Sequence, residues 1–200
     1  MKQSATALLL KNKKQFYQTI FQPNRWNRLA AELMAVSLLG LASFGLVMGS
    51  YIPHWRWPLG LSWKMIVLLW GSVALCTPAL FVFSAIRGSR ITLPQLVYLL
   101  IGGLATSGIV VLALAPISWF FTWTDTSPGH LILRLMNGGM IAVSLLFGLY
   151  LIGQGLYAVH QQVKATTPES KAALDIVVIW LVLLIVVIAQ MSAKLGPWYQ

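Results

Sequence analysis

Apolar residues along this chain gather into five long runs separated by short polar stretches. The runs lie at about 30–50, 65–86, 95–117, 135–158 and 173–193. Each reaches or exceeds the roughly 20 residues that a helix needs to cross a ~30 Å hydrocarbon layer. The pattern predicts five membrane-spanning helices. Ahead of them, residues 5–21 predict a short helix lying on the membrane, with Leu9, Leu10, Phe16, Tyr17, Ile20 and Phe21 on an apolar face. Lys11, Lys13 and Lys14 would reach lipid headgroups from it, although Lys13 falls near the apolar stripe. Pro23 and Asn24 end this segment. The expected fold class is all-α, a polytopic membrane helix bundle. Residues 1–29 form a cytoplasmic amphipathic segment and 30–200 form the five-helix transmembrane bundle.

Composition agrees. Mean hydropathy is +0.77, and 58% of residues are hydrophobic against 9% charged. Those values lie outside the soluble globular range, and one bundle uses the whole chain. The net charge of +10 does not imply a nucleic-acid partner, because the basic residues flank the apolar runs. Lys2, Lys11, Lys13, Lys14, Arg25, Arg28, Arg87, Arg90, Lys164 and Lys171 fall on one side; Arg56, Lys64, Arg134 and Lys194 fall on the other. The positive-inside rule then places the N-terminus in the cytoplasm and the C-terminus across the membrane. The N-terminus does not read as a cleavable signal, since the apolar stretch Ala7 to Leu10 is too short for one. The first span is expected to act as the insertion signal.

Small residues and prolines mark packing within the spans. Gly45 and Gly49 have the small-xxx-small spacing that lets two helix backbones approach closely. Pro78 should kink the second span. Pro116 sits near the outer end of the third, which also carries Gly102, Gly103, Ser107 and Gly108. The fourth contains Asn137, Gly138 and Gly139, then Gly148, Gly153 and Gly155. The fifth, Ile176 to Ile188, is nearly all branched apolar residues, a composition suited to lipid contact. No internal repeat and no inverted pair of broken helices points to a transport site.

Residues able to carry chemistry are few. The acids are Glu32, Asp125, Glu169 and Asp175, with Asp125 on the opposite side from the others. Glu32 is the intramembrane ionisable candidate, and such a group is a functional hypothesis by default. Arg28, four residues earlier on the same helical face, offers it an ordinary ion-pair partner. His160 and His130 are candidate ligands for a pigment. Cys76 stands alone, so neither a disulfide nor a structural zinc site follows from it. No metal site, metalloprotease motif, phosphate-cradling loop or nucleophile elbow is present, so no catalytic residue is assigned. Deep polar residues, among them Ser72, Thr77, Thr106, Asn137, Ser144 and Gln154, are too sparse for a hydrophilic conduit. Of nine tryptophans, Trp55, Trp57, Trp63, Trp119, Trp123 and Trp198 all fall towards the outer side. That bias fits either an interfacial aromatic belt or a docking surface for a partner.

Three stretches carry a family resemblance: Gly45 to Ser50 (GLVMGS), Thr77 to Ser89 (TPALFVFSAIRGS) and Leu114 to Ile117 (LAPI) followed by aromatics. The lead-in from Phe16 to Leu29, with Pro23 before the first span, is similar too. The chain resembles small bacterial five-span proteins of the Yip1-like superfamily. The resemblance implies five spans, a cytoplasmic N-terminus and no known catalytic residues, in a bacterial inner or an internal membrane. Eukaryotic relatives act by binding other proteins, through a soluble N-terminal region that here is reduced to about 28 residues. The expected function is a non-enzymatic scaffold, assembly factor or accessory subunit, with membrane lipid and other membrane subunits as partners. A small-molecule permease component and a lipid- or pigment-binding accessory subunit are the alternatives. No cofactor is otherwise expected.

Overall fold

In a hydrocarbon layer every backbone N–H and C=O must be bonded within the protein, and a helix does this within one segment. The computed structural model describes residue 9 and residues 26–50, 56–86, 92–124, 131–163 and 171–195. They form five long α-helices: α1 (Trp26–Gly49), α2 (Arg56–Ile86), α3 (Leu93–Thr124), α4 (Leu131–Val163) and α5 (Lys171–Lys194). No strand occurs among the described residues. The first four helices contain stretches long and apolar enough to cross a membrane, and Val182–Lys194 of α5 forms a shorter apolar segment.

The helices outrun the apolar runs. α2 begins at Arg56 rather than near 65, and α3 continues past Pro116 to Thr124. Hydropathy measures the length that lipid accepts, whereas a helix continues while its backbone bonds close. Pro58 falls in the first turn of α2, where its missing N–H costs nothing. At the start of α3, Thr92 N–H donates to Gln95 Oε1 at 3.1 Å while Leu96 N–H donates to Thr92 O at 3.1 Å. This is half of a capping box. α1 closes on Ser50, whose hydroxyl donates to Val47 O at 2.8 Å.

Six- and seven-residue connections reach at most about 25 Å, less than the roughly 36–50 Å length of these helices. Consecutive helices are therefore antiparallel. α3 packs extensively against α1 on one side and α4 on the other; α2 packs on α1, and α5 packs mainly on α2. Contacts between α2 and α3 and between α4 and α5 are slight.

Close backbone approaches hold the pairs. A Cβ on Gly45 would lie 2.7 Å from Ser62 N, and one on Gly49 2.8 Å from Pro58 N, so this glycine pair seats α2 on α1. The Ser62 hydroxyl lies 2.9 Å from Ala42 O across that seam. Gly40 faces Gly108 where α1 meets α3, and Gly103 faces Gly148 between α3 and α4. Ser37 joins three helices: its backbone abuts Gly108, and its hydroxyl accepts from Trp70 Nε1 at 3.2 Å. Lipid tails are as apolar as leucine, so such contact, rather than release from water, drives association.

Leu9 is helical and fully buried among the bundle's apolar side chains. The remainder of the expected interfacial segment, including Lys11, Lys13 and Lys14, lies outside the described residues.

A buried polar bond ties α3 to α4. The Ser118 hydroxyl donates to Asn137 Oδ1 at 2.6 Å, and both side chains are buried. Asn137→Leu is expected to lower stability by about 0.6–1.7 kcal/mol, the range for interhelical bonds of this kind. Ser118→Ala made in the Asn137→Leu background should cost less than in the wild type. Unfolding in mixed micelles, run as a double-mutant cycle, measures the difference.

Candidate functional site

The most distinctive surface is the end of the bundle where α1 finishes. From the Gly40–Gly108 crossing, α1 runs nine residues further, to Gly49, while α3 runs sixteen further, to Thr124. At about 1.5 Å per residue the α3 end projects roughly 10 Å beyond that of α1. The α3 residues from Leu96 to Gly108 are mostly buried, but the projecting part is not. Leu112, Pro116, Trp119 and Trp123 recur at helical spacing and are all exposed, with Trp119 at 56% and Trp123 at 70%.

This stripe is rigidly backed. Ser118 and Thr122, roughly a quarter turn around the helix from the stripe, are buried, and Thr122 Oγ1 donates to Ser118 O at 2.7 Å. Phe121 packs on the core and meets Phe120 edge-to-face, with ring centroids 5.5 Å apart and planes at 84°. Phe120 itself is exposed. On α2, Leu59 and Trp63 are exposed and Trp57 is half-buried. Arg56 and Arg134, at the first turns of α2 and α4, give this end exposed positive charge. The structure thus presents Trp63, Trp119 and Trp123 to the surroundings, while Trp55 lies outside the described residues.

The other candidate residues are dispersed. Glu32 accepts from Arg28 Nε at 3.4 Å, with the two side chains 36% and 68% exposed, near the opposite end of the bundle. It occupies the surface of α1 rather than a polar interior. Pro78 and Pro116 both sit inside continuous helices with exposed rings. Thr77 Oγ1 donates to Val73 O at 2.7 Å beside Pro78. His130 precedes α4 and is not described; His160 lies in the last turns of α4, with its side chain outside the described set. Among the described residues no three His, Cys, Asp or Glu side chains cluster as a metal site would require.

Gly45 and Gly49, read from their spacing as a packing pair, do meet α2. The Gly40–Gly108 crossing and the Ser37–Trp70 bond escaped that reading, because neither partner has a small residue four positions away on the facing side to signal it. No family model, curated protein or solved structure matches this chain.

Proposed function

We propose that this protein is a non-enzymatic integral membrane scaffold, assembly factor or accessory subunit. Its projecting aromatic end binds another membrane subunit. The observation that carries the reading is the rigid, exposed Trp119–Trp123 stripe standing beyond the neighbouring helix end. Tryptophan supplies large contact area at low entropic cost and dominates many binding surfaces. An arginine rim of Arg56 and Arg134 fits the polar border that surrounds such patches.

In this reading the aromatic end faces away from the cytoplasm, because ten of the fourteen basic residues lie at the other end. In the same reading α5 is a fifth inserted segment and the chain is a Yip1-like protein. Lys11, Lys13 and Lys14 contact anionic lipid on the cytoplasmic side.

Gentle extraction from the native membrane followed by native mass spectrometry tests the proposal. A stoichiometric second protein is expected in a colourless particle. A single chain that absorbs visible light would replace the scaffold reading with a pigment-carrying one.

A further inference from the structure

α5 has one side seated on the bundle and one side turned away from it. Leu184 is buried, a Cβ on Gly71 would lie 3.3 Å from the Met191 methyl, and the Ser72 hydroxyl lies 3.7 Å from Met191 Sδ. Leu184 and Met191 therefore mark the seated side. Ile179, Val182, Val186 and Gln190 lie away from it and are all exposed. At about 100° per residue these four fall within an arc of roughly 80°. Three of them are β-branched apolar residues, as a lipid-facing surface requires. Gln190 is the exception.

The depth of Gln190 makes it costly. It adjoins Met191, which meets α2 at Gly71, the midpoint of Arg56–Ile86. With α5 inserted, as proposed above, the Gln190 amide lies near the middle of the hydrocarbon, roughly 15 Å from either headgroup layer. A glutamine side chain is too short to reach water from there. Gln190 makes no hydrogen bond among the described residues. An amide left in hydrocarbon without a partner costs several kcal/mol by transfer measurements, so a group outside the described residues must supply one.

We infer that α5 pairs with α5 of a second copy of this chain, with the two Gln190 amides hydrogen-bonded across the pair. Copies in one membrane share an orientation, so a two-fold axis along the membrane normal brings the two α5 helices together in parallel, each residue near its own counterpart. An amide carries both donors and an acceptor, so two of them satisfy each other across such an axis. No charged residue lies between Ile179 and Gln190 to oppose the pairing. The stiff side chains of Ile179, Val182 and Val186 lose little rotamer freedom on contact, and the polar pair fixes the register. This pairing rests on the reading of α5 as an inserted segment and is separate from the aromatic stripe.

The test uses the full chain, purified and reconstituted in phosphatidylcholine liposomes, with donor and acceptor fluorophores attached to the N-termini of separate copies. Energy transfer followed as lipid is added gives the association constant. Gln190→Leu is expected to lower it at least about fivefold, whereas Gln190→Asn should keep most of it. Thermal unfolding should be unchanged in both, since position 190 lies off the seated side. Under mild oxidation Val186→Cys should form a disulfide-linked dimer. Leu146→Cys, exposed at mid-α4, should form none, as should wild type, whose one cysteine is buried. A membrane-impermeant maleimide should leave Val186→Cys unlabelled; labelling would show that α5 is not inserted and would remove the reading beneath the inference. With that position unlabelled, equal energy transfer by wild type and Gln190→Leu overturns the pairing alone, as does equal cross-linking from Leu146→Cys. A cross-link from Val186→Cys in native membranes to a different protein, with none to its own copy, overturns the second copy as the occupant.

Discussion

Gly40→Ala is expected to destabilise the bundle far more than any alanine substitution on an open glycine. A Cβ on Gly40 would lie 2.7 Å from the carbonyl carbon of Gly108 and 2.9 Å from its Cα. Both are backbone atoms, so no rotamer change relieves the overlap, and α1 must move away from α3. That seam is the most extensive among the described helices. Overpacking of this kind costs about 1–3 kcal/mol, against a gain of up to about 1 kcal/mol in helix propensity. Gly40→Leu should exceed the upper figure and shift the population towards unfolded chain. Gly108→Ala meets Ser37 Cα at 2.9 Å and should behave similarly. By contrast Gly138→Ala and Gly139→Ala meet nothing within 4 Å, so they should be neutral or stabilising by up to about 1 kcal/mol. Denaturant titration in mixed micelles, followed by tryptophan fluorescence, separates the two groups. Equal effects at Gly40 and Gly139 would mean that α1 and α3 do not meet at this crossing.

Trp119→Ala combined with Trp123→Ala is expected to reduce recovery of the partner subunit at least tenfold while leaving the bundle intact. Two exposed rings contribute little to folding, so stability should stay within about 0.5 kcal/mol of wild type. At an interface a central tryptophan is worth about 2 kcal/mol or more, and each 1.4 kcal/mol is tenfold in affinity. Trp70→Phe is the opposite case. It removes the bond to Ser37 inside the bundle, so it should lower stability and leave association unchanged. Quantitative co-purification beside unfolding curves distinguishes them. A double variant that loses stability and association together would place the tryptophans in the fold rather than in the docking surface.

The sequence made the helices legible because hydrocarbon length imposes a minimum run of apolar residues. The five runs coincide with described helices, apart from Ser50 just past the end of α1, and four of those helices are long and apolar enough to cross a membrane. Helix ends were less legible for the same reason. Arg56 and Lys64 break the apolar run without breaking the helix, so α2 reads too short. The capping pair Thr92 and Gln95 carried the true start of α3 and was a usable signal. Neighbour relations depend on which glycine faces which backbone. Gly45 and Gly49 announce themselves by spacing, whereas Gly40 and Gly108 lie 68 positions apart in the chain.

The candidate surface was legible as composition but not as shape. Tryptophan enrichment pointed to one end, and only the register of α3 against α1 made Trp119 and Trp123 stand beyond the α1 end. Glu32 illustrates the reverse. It stood out as an acid in an apolar run, and the structure accounts for it with Arg28 on the surface of α1. The α5 register was illegible, since nothing in the run 173–193 says that Met191 will meet Gly71 and Ser72 of α2.

The most direct measurement is photo-cross-linking in the native membrane from benzoylphenylalanine placed at Trp123, with Leu75 as the reference. Both positions are strongly exposed, at 70% and 65%, but Leu75 lies in mid-α2, far from the projecting end. The account predicts one discrete protein adduct from position 123 and only lipid adducts from position 75. Lipid adducts alone from both positions would contradict it and reduce the aromatic end to an interfacial belt.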